Sequence, residues 1–356
     1  MPSEKAKIVG NRQPIVKREA EPMTALPSTA AASEEIRGRA LKADFVLVPV
    51  DPMTKELLKK KPIPGFEPKT VPVVTYKGDS NGTREGVVRV TLSLDPDRVR
   101  KAYPDEALPD HLNGAFSFFD MRFMLAYQAL WEKAEQMNIP IEKRYFSVAQ
   151  LCRHMTAGAR PAASQMRKVR NTAEKLMYVK MQIDASGEAH LRNHSNSRVA
   201  AFLPAEVLKG TMGGNTTDLI HPLAEAPLFS FVKERRQMTT VPIGVFNESP
   251  LSLTESSINI EYVLLAHISG INYSAKMHPV IKIETFLQAC GIVPPADESA
   301  AAAARFRQQK KRALMNAEKW LAHLRKCGLI EGFGKADGRF QITPKSKGRS
   351  KTKSFE

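Results

Sequence analysis

Two stretches of this chain carry anion-seeking side chains at helical spacing. At about 100° per residue, one side of the segment ending at Tyr178 carries Arg160, Ser164, Arg167, Lys168, Asn171, Lys175 and Tyr178 itself. Ala162, Met166, Val169, Ala173, Leu176 and Met177 fall on the opposite side as an apolar stripe. Glu174 is the one acid between Pro161 and Tyr178, whereas an ordinary solvated helix face interleaves acids with bases. Arginine matches the acceptors of guanine with two donors, asparagine matches adenine, and serine or lysine reaches phosphate oxygens. A later stretch repeats the design. Arg305, Gln308, Lys311, Arg312, Met315 and Lys319 face outward, with Asn316 at the edge, opposite Phe306, Ala313, Leu314, Ala317, Trp320, Leu321 and Leu324. Lys310 falls on the apolar side, so the first turns of that helix are expected to project past the core. The alanine run Ala300–Ala304 has strong helix propensity and little bulk. Close approach to a phosphate backbone and a merely solvent-exposed helix fit it equally well.

Other reactive residue types form no site. His190 and His194 are four apart but fall in an expected strand and turn, where that spacing does not bring both rings to one metal. Gly332-Phe-Gly-Lys335 lacks the length and the Ser/Thr of a phosphate loop. No two histidines alternate around an apolar residue as a nicking site requires, and no carboxylate pair follows a metal-nuclease pattern. Cys152, Cys290 and Cys327 are odd in number and widely spaced, which argues for buried thiols in a reducing compartment. No catalytic residue, metal or cofactor is expected. No apolar run spans a membrane, the first residues lack the apolar segment of a secretory signal, and the expected location is the cytoplasm. The formal charge of +16 over 356 residues suits a polyanionic partner.

The elements that must position these helices follow from pattern. Residues 1–41 mix Pro, Ala, Ser, Glu, Lys and Arg without period and read as a disordered arm. A β-hairpin extension is expected over 42–112, with Asp44–Val50 as a short buried strand and Val71–Tyr76 and Gly86–Leu94 flanking Gly78–Gly82. From Phe116 the period becomes helical, through Phe119, Phe123, Tyr127, Leu130, Trp131 and Ala134, until Asn138-Ile-Pro140 ends it. Ser147 is placed to cap a two-turn helix over Val148–Met155, and Pro161 to open the first basic helix. Val179–Ile183 and Ala189–Arg192 around Asp184–Gly187 then predict a wing, which completes a first winged-helix domain over 113–205. Residues 206–242, with Gly213, Gly214 and Pro222, read as an interdomain connection. The order repeats over 243–343. There, helices are expected over Ser256–Ser269 and Ile283–Cys290, then a basic helix capped by Asp297 or Ser299 and stopped at Gly328, then a wing around Gly334–Gly338. Residues 344–356 form a basic tail. The expected fold class is mainly α with small β-wings (α+β), two tandem winged-helix domains behind the arm and a short β-hairpin region.

The arrangement from about Phe116 to Thr343 resembles the iteron-binding plasmid replication initiators, the Rep family with tandem winged-helix domains. The resemblance is carried by Arg236–Pro242 leading into the helix through Tyr262 to Ile271, by Ile281–Gly291, and by the basic helix ending in Trp320–Ile330. It implies sequence-specific binding of double-stranded DNA at directly repeated origin sites, with DNA bending. It also implies a host replication initiator and a replicative helicase as partners. A second copy of the chain, as a homodimer, is a further candidate partner. Two other functions fit the same residues: a winged-helix transcriptional regulator, and a phage-type replication adaptor that loads a helicase.

Overall fold

In a computed structural model of the protein, residues 44–76, 86–104, 107–156, 161–187, 197–212, 215–273, 278–295 and 299–345 are described. The expected arm, almost all of the basic tail, Arg160, Asp297 and the expected strand Ala189–Arg192 lie outside them. The helices are α1 Pro52–Lys60, α2 Pro96–Ala102, α3 Phe118–Gln136, α4 Val148–Met155, α5 Ala163–Tyr178, α6 Pro227–Glu234, α7 Gly244–Asn247, α8 Glu255–Tyr273, α9 Ile283–Ala289 and α10 Ala300–Lys326. The strands are β1 Phe45–Pro49, β2 Lys69–Tyr76, β3 Gly86–Leu94, β4 Phe146–Ser147, β5 Val179–Gly187, β6 Ser197–Ala201, β7 Ala205–Met212, β8 Asn215–Pro222, β9 Met238–Pro242, β10 Val280–Lys282, β11 Ile330–Ala336 and β12 Arg339–Pro344. The molecule thus mixes helix and sheet.

Local chemistry accounts for most boundaries. Ser117 and Asp120 close a capping box at the start of α3, Ser147 caps α4, and Ser299 caps α10. Asp51-Pro52 and Asp95-Pro96 start α1 and α2, each with an aspartate cap and proline in the first turn. Neither helix is expected from hydrophobic period, because both are too short to show one. Gly328, at φ +71, follows α10. Asp337 and Gly338, both at positive φ, make the two-residue turn between β11 and β12.

Two units share one plan. In the first, α3, β4, α4 and α5 precede β7 and β8, and the sheet order is β4-β8-β7. In the second, α8, β10, α9 and α10 precede β11 and β12, and the sheet order is β10-β12-β11. In both, the short strand between the first two helices pairs with the last strand of the hairpin.

This layout corrects three expectations. The hairpin of the first unit is β7–β8, inside the stretch read as an interdomain connection. Its strands end and resume at Met212 and Asn215, which pair with each other, so the stretch holds a hairpin, and Gly213 and Gly214 themselves lie outside the described residues. The stretch after α5 is no free wing. Val179, Met181, Ile183 and Ala185 all bury, so the period of two runs straight through the Asp184–Gly187 cluster that reads as a turn. The strand that pairs with β5 is β6, at Ser197–Ala201. Finally, β2 and β3 form no separate extension, because β3 pairs along β5 and gives a four-stranded sheet β2-β3-β5-β6. That sheet is inserted between the basic helix and its hairpin.

One apolar core runs through both units. α3 is buried on nearly all sides, its expected stripe and also Phe118, Met121, Arg122 and Leu125, because α4 and α8 both pack on it. β1 pairs with β9, and the Tyr262 hydroxyl donates to the Pro49 carbonyl at 2.6 Å. The N-terminal strand is thereby sewn to the second unit.

Candidate nucleic-acid interface

The two basic helices occupy equivalent places, and their inward residues correspond. Val169, Ala173 and Leu176 of α5 match Ala313, Ala317 and Trp320 of α10, all buried. The same alignment sets Ser164 against Gln308, Arg167 against Lys311, Lys168 against Arg312, Asn171 against Met315 and Lys175 against Lys319. Ser164, Arg167, Lys168, Arg305, Gln308, Lys311, Arg312 and Lys319 are exposed, while Asn171 and Asn316 are half-buried. An ion pair ties each helix to its hairpin. Arg170 of α5 lies 3.7 Å from Asp218 of β8, and Lys335 of β11 lies 2.8 Å from Glu318 of α10. Pairs this exposed add little stability, but they hold a hairpin beside a helix in both units.

Lys175 departs from the expected outward face. It is 8% exposed, donates to the Ala115 carbonyl at 3.1 Å, and meets the Asp120 carboxylate at 2.6 Å. Burial pushes the Asp120 carboxyl above its ordinary value, against the opposing pull of Lys175 and Ser117. The reason is tertiary: the start of α3 and the turn Asp110–Asn113 pack on the C-terminal half of α5. Lys319, with no such cover, stays exposed. Lys175 is therefore a core cation and no phosphate ligand.

The exposed polar face of α5 is accordingly confined to the N-terminal part of the helix. Ser164, Arg167, Lys168 and Asn171 rim a cleft of about 360 Å³ with His111, Phe119 and Glu255. Lys168 extends over the Phe119 ring, Nζ to centroid 3.7 Å, and Glu255 accepts from the backbone N–H groups of Phe118 and Phe119. Ala162 is the N-cap residue of α5 and is exposed, so Pro161 stands outside the helix and Ala162 outside the expected apolar stripe.

On α10 the exposed surface is larger. Every residue from Ala300 to Arg312 is exposed or half-buried, about 20 Å of helix at 1.5 Å per residue, with no core beneath it. Arg307 and Lys310 therefore join Arg305, Lys311 and Arg312 as free-standing cations. The first turns thus project past the core, as the place of Lys310 on the apolar side of the wheel implies, and Arg307 is the cation that reading does not name. Lys209 on β7 and Arg339 on β12 are exposed on the hairpins. Nothing in the sequence marks Lys209, since it sits in the stretch read as a connection.

Among the described residues there is no group of three or more His, Cys, Asp or Glu that could hold a metal, and no helix long and apolar enough to cross a membrane. No protein-family model and no curated protein sequence matches the chain. Among solved structures, it is similar to a selenomethionine derivative of domains 2 and 3 of RctB. The likeness covers 83% of this chain and 97% of that one, at 11% identity and a TM-score of 0.41. Values that low leave the function to be argued from this chain's own residues.

Proposed function

We propose that this protein binds double-stranded DNA sequence-specifically through two winged helices in tandem. The first turns of α5 and α10 enter the major groove, and the hairpins β7–β8 and β11–β12 flank it on phosphate. The observation that carries this reading is the repeated plan: the same helix and strand order, the same sheet order, and in each unit an exposed basic helix start on a helix tied further along to its hairpin. Phosphate neutralisation supplies affinity, and Arg167, Asn171, Lys311 and Arg312 supply the donors and acceptors that discriminate bases. Binding, not catalysis, is the activity.

The finer reading is a replication initiator acting at directly repeated origin sites, with a host initiator and helicase as partners. It rests on the resemblance in element order described above and on the tandem plan, which suits tandem sites. Footprinting tests the DNA reading. On duplexes selected from a random library, the intact chain should protect two neighbouring major-groove segments on one face, and Lys311→Glu/Arg312→Glu should lose one and keep the other. A single short footprint, indifferent to those changes, would remove DNA from the role of α10. Affinity should fall with salt at a log–log slope of about −5 if around six phosphates are neutralised. For initiation, a DNA circle carrying the selected sites as direct repeats should be maintained only when the chain is supplied. A circle that is lost regardless would favour a transcriptional regulator.

A further inference from the structure

Between the two units lies a buried polar joint with no part in the DNA surface. Arg122, on α3, is 2% exposed. Its Nη1 faces the Glu261 carboxylate of α8 at 3.3 Å, and Glu261 is itself 3% exposed. Its Nε donates to the carbonyl of Met155, the last residue of α4, at 3.1 Å. Its Nη2 donates to the carbonyl of Phe246 in α7 at 2.9 Å, and the guanidinium lies over the Phe246 ring at 4.2 Å. Ser249 donates from its hydroxyl to the other Glu261 oxygen. The Phe246 ring stacks on Trp320 of α10 at 6.3 Å, and His323 of α10 donates to the Val245 carbonyl at 3.1 Å. One guanidinium thus touches the helices that carry α5 and, through α7 and α8, those that carry α10.

We propose that Arg122 is a positioning residue that fixes the angle and spacing between α5 and α10, and so the phase of the two DNA segments the chain reads. The proposal rests on the DNA-binding reading above. Apolar packing between the units is non-directional and tolerates sliding. A planar guanidinium whose Nε and Nη2 donate to carbonyls of two different helices does not, because its donors form a rigid fork. A buried ion pair is a weak source of stability, since well-packed apolar residues of similar volume often serve as well. Geometry is what remains for it to provide. Burial raises the Glu261 carboxyl, against the charge of Arg122 and the Ser249 hydrogen bond, which pull it down.

The test uses Arg122→Met/Glu261→Met, which removes both charges together and leaves neither uncompensated. In a chain whose Cys152, Cys290 and Cys327 are alanine, spin labels at Ser164→Cys and Gln308→Cys report the distance between the two helix starts. The parent should give one narrow distribution. The double variant, unfolding at nearly the parent's temperature, should give one at least twice as broad. On selected duplexes with about five base pairs, half a helical turn, inserted between the protected segments, the parent should lose about 100-fold in affinity. The double variant should lose less than tenfold. Should it fail to fold, Arg122→Lys, which keeps the charge but not the fork, carries the same two measurements with the same expected direction. A variant that keeps both the narrow distance and the full phase dependence overturns the proposal. A parent indifferent to the insertion, with the variant still broadened, overturns instead the two-helix DNA reading and with it the phase claim.

Discussion

Lys175 shows how much a single residue's role depends on what packs over it. On the helical wheel it is one more cation on an anion-seeking face, and in the fold it neutralises Asp120 under the first turn of α3. Lys175→Met should therefore act on stability before it acts on DNA. It strands a buried carboxylate, at a cost of about 3–5 kcal/mol, and Lys175→Met/Asp120→Asn should recover most of the loss in urea unfolding. If the single variant is as stable as the parent and only DNA affinity falls, the lysine is a surface ligand after all. Two half-buried imidazoles make a second residue-scale prediction. Burial lowers the His154 and His267 pKa values from the ordinary 6.5, so the unfolded chain takes up these protons first as pH falls. Their contribution to stability is present above 6.5 and lost below it. The raised carboxyls Asp51, Asp120 and Glu261 act in the opposite sense, because the folded state is protonated first, and they do so alike in the parent and in a histidine variant. Between about pH 7.5 and 5.5, His154→Gln/His267→Gln should thus lose less stability than the parent. Equal losses would mean that the two rings are freely protonated in the folded state.

At the scale of elements, the wing of the first unit is the informative case. The residues after α5 have the strand–turn–strand pattern of a wing, but their apolar alternation continues to Ala185 and commits the strand to a sheet with β3. The hairpin that takes the wing's place, β7–β8, carries three threonines and shows little alternation, because only part of it, at Ala205 and Ile220, faces a core. The two assignments differ in which lysine meets phosphate. Lys209→Glu on β7 should weaken binding of all duplexes and lower the salt slope by about one unit, while Lys180→Glu on β5 should leave both unchanged. The reverse result would return the wing to β5–β6. In the second unit no sheet is inserted between helix and hairpin, and the expected strand–turn–strand order holds, although β11 continues through Gly334–Ala336, read as loop, so that the turn shrinks to Asp337-Gly338.

For the whole molecule, the continuous core changes what "two domains" means. α3 packs on both α4 and α8, β1 pairs with β9, and Glu255 of α8 caps the first turn of α3. Units joined this way should unfold together, in one transition with calorimetric and van't Hoff enthalpies equal. Two resolved transitions would show separable domains and would undercut a rigid spacing between the readers. Rigidity of this kind turns two weak half-interfaces into one, since the second contact forms without further loss of freedom.

The sequence by itself determined the two basic helices, the cap Ser147, the stop at Gly328 and a hairpin after it, and it narrowed the α10 cap to Asp297 or Ser299. All of these depend on residues a few positions apart, where backbone sterics, capping and helical period act directly. The exposure of Ser164, Arg167, Lys168, Lys311 and Arg312 was legible for the same reason. Only the tertiary structure decided that β8 of the β7–β8 hairpin pairs with β4, that β2 and β3 join β5, that Lys175 turns inward, and that Arg122 joins the units. Each of those depends on partners tens to more than a hundred residues away, and no local pattern encodes which strand or helix will arrive to cover a given face.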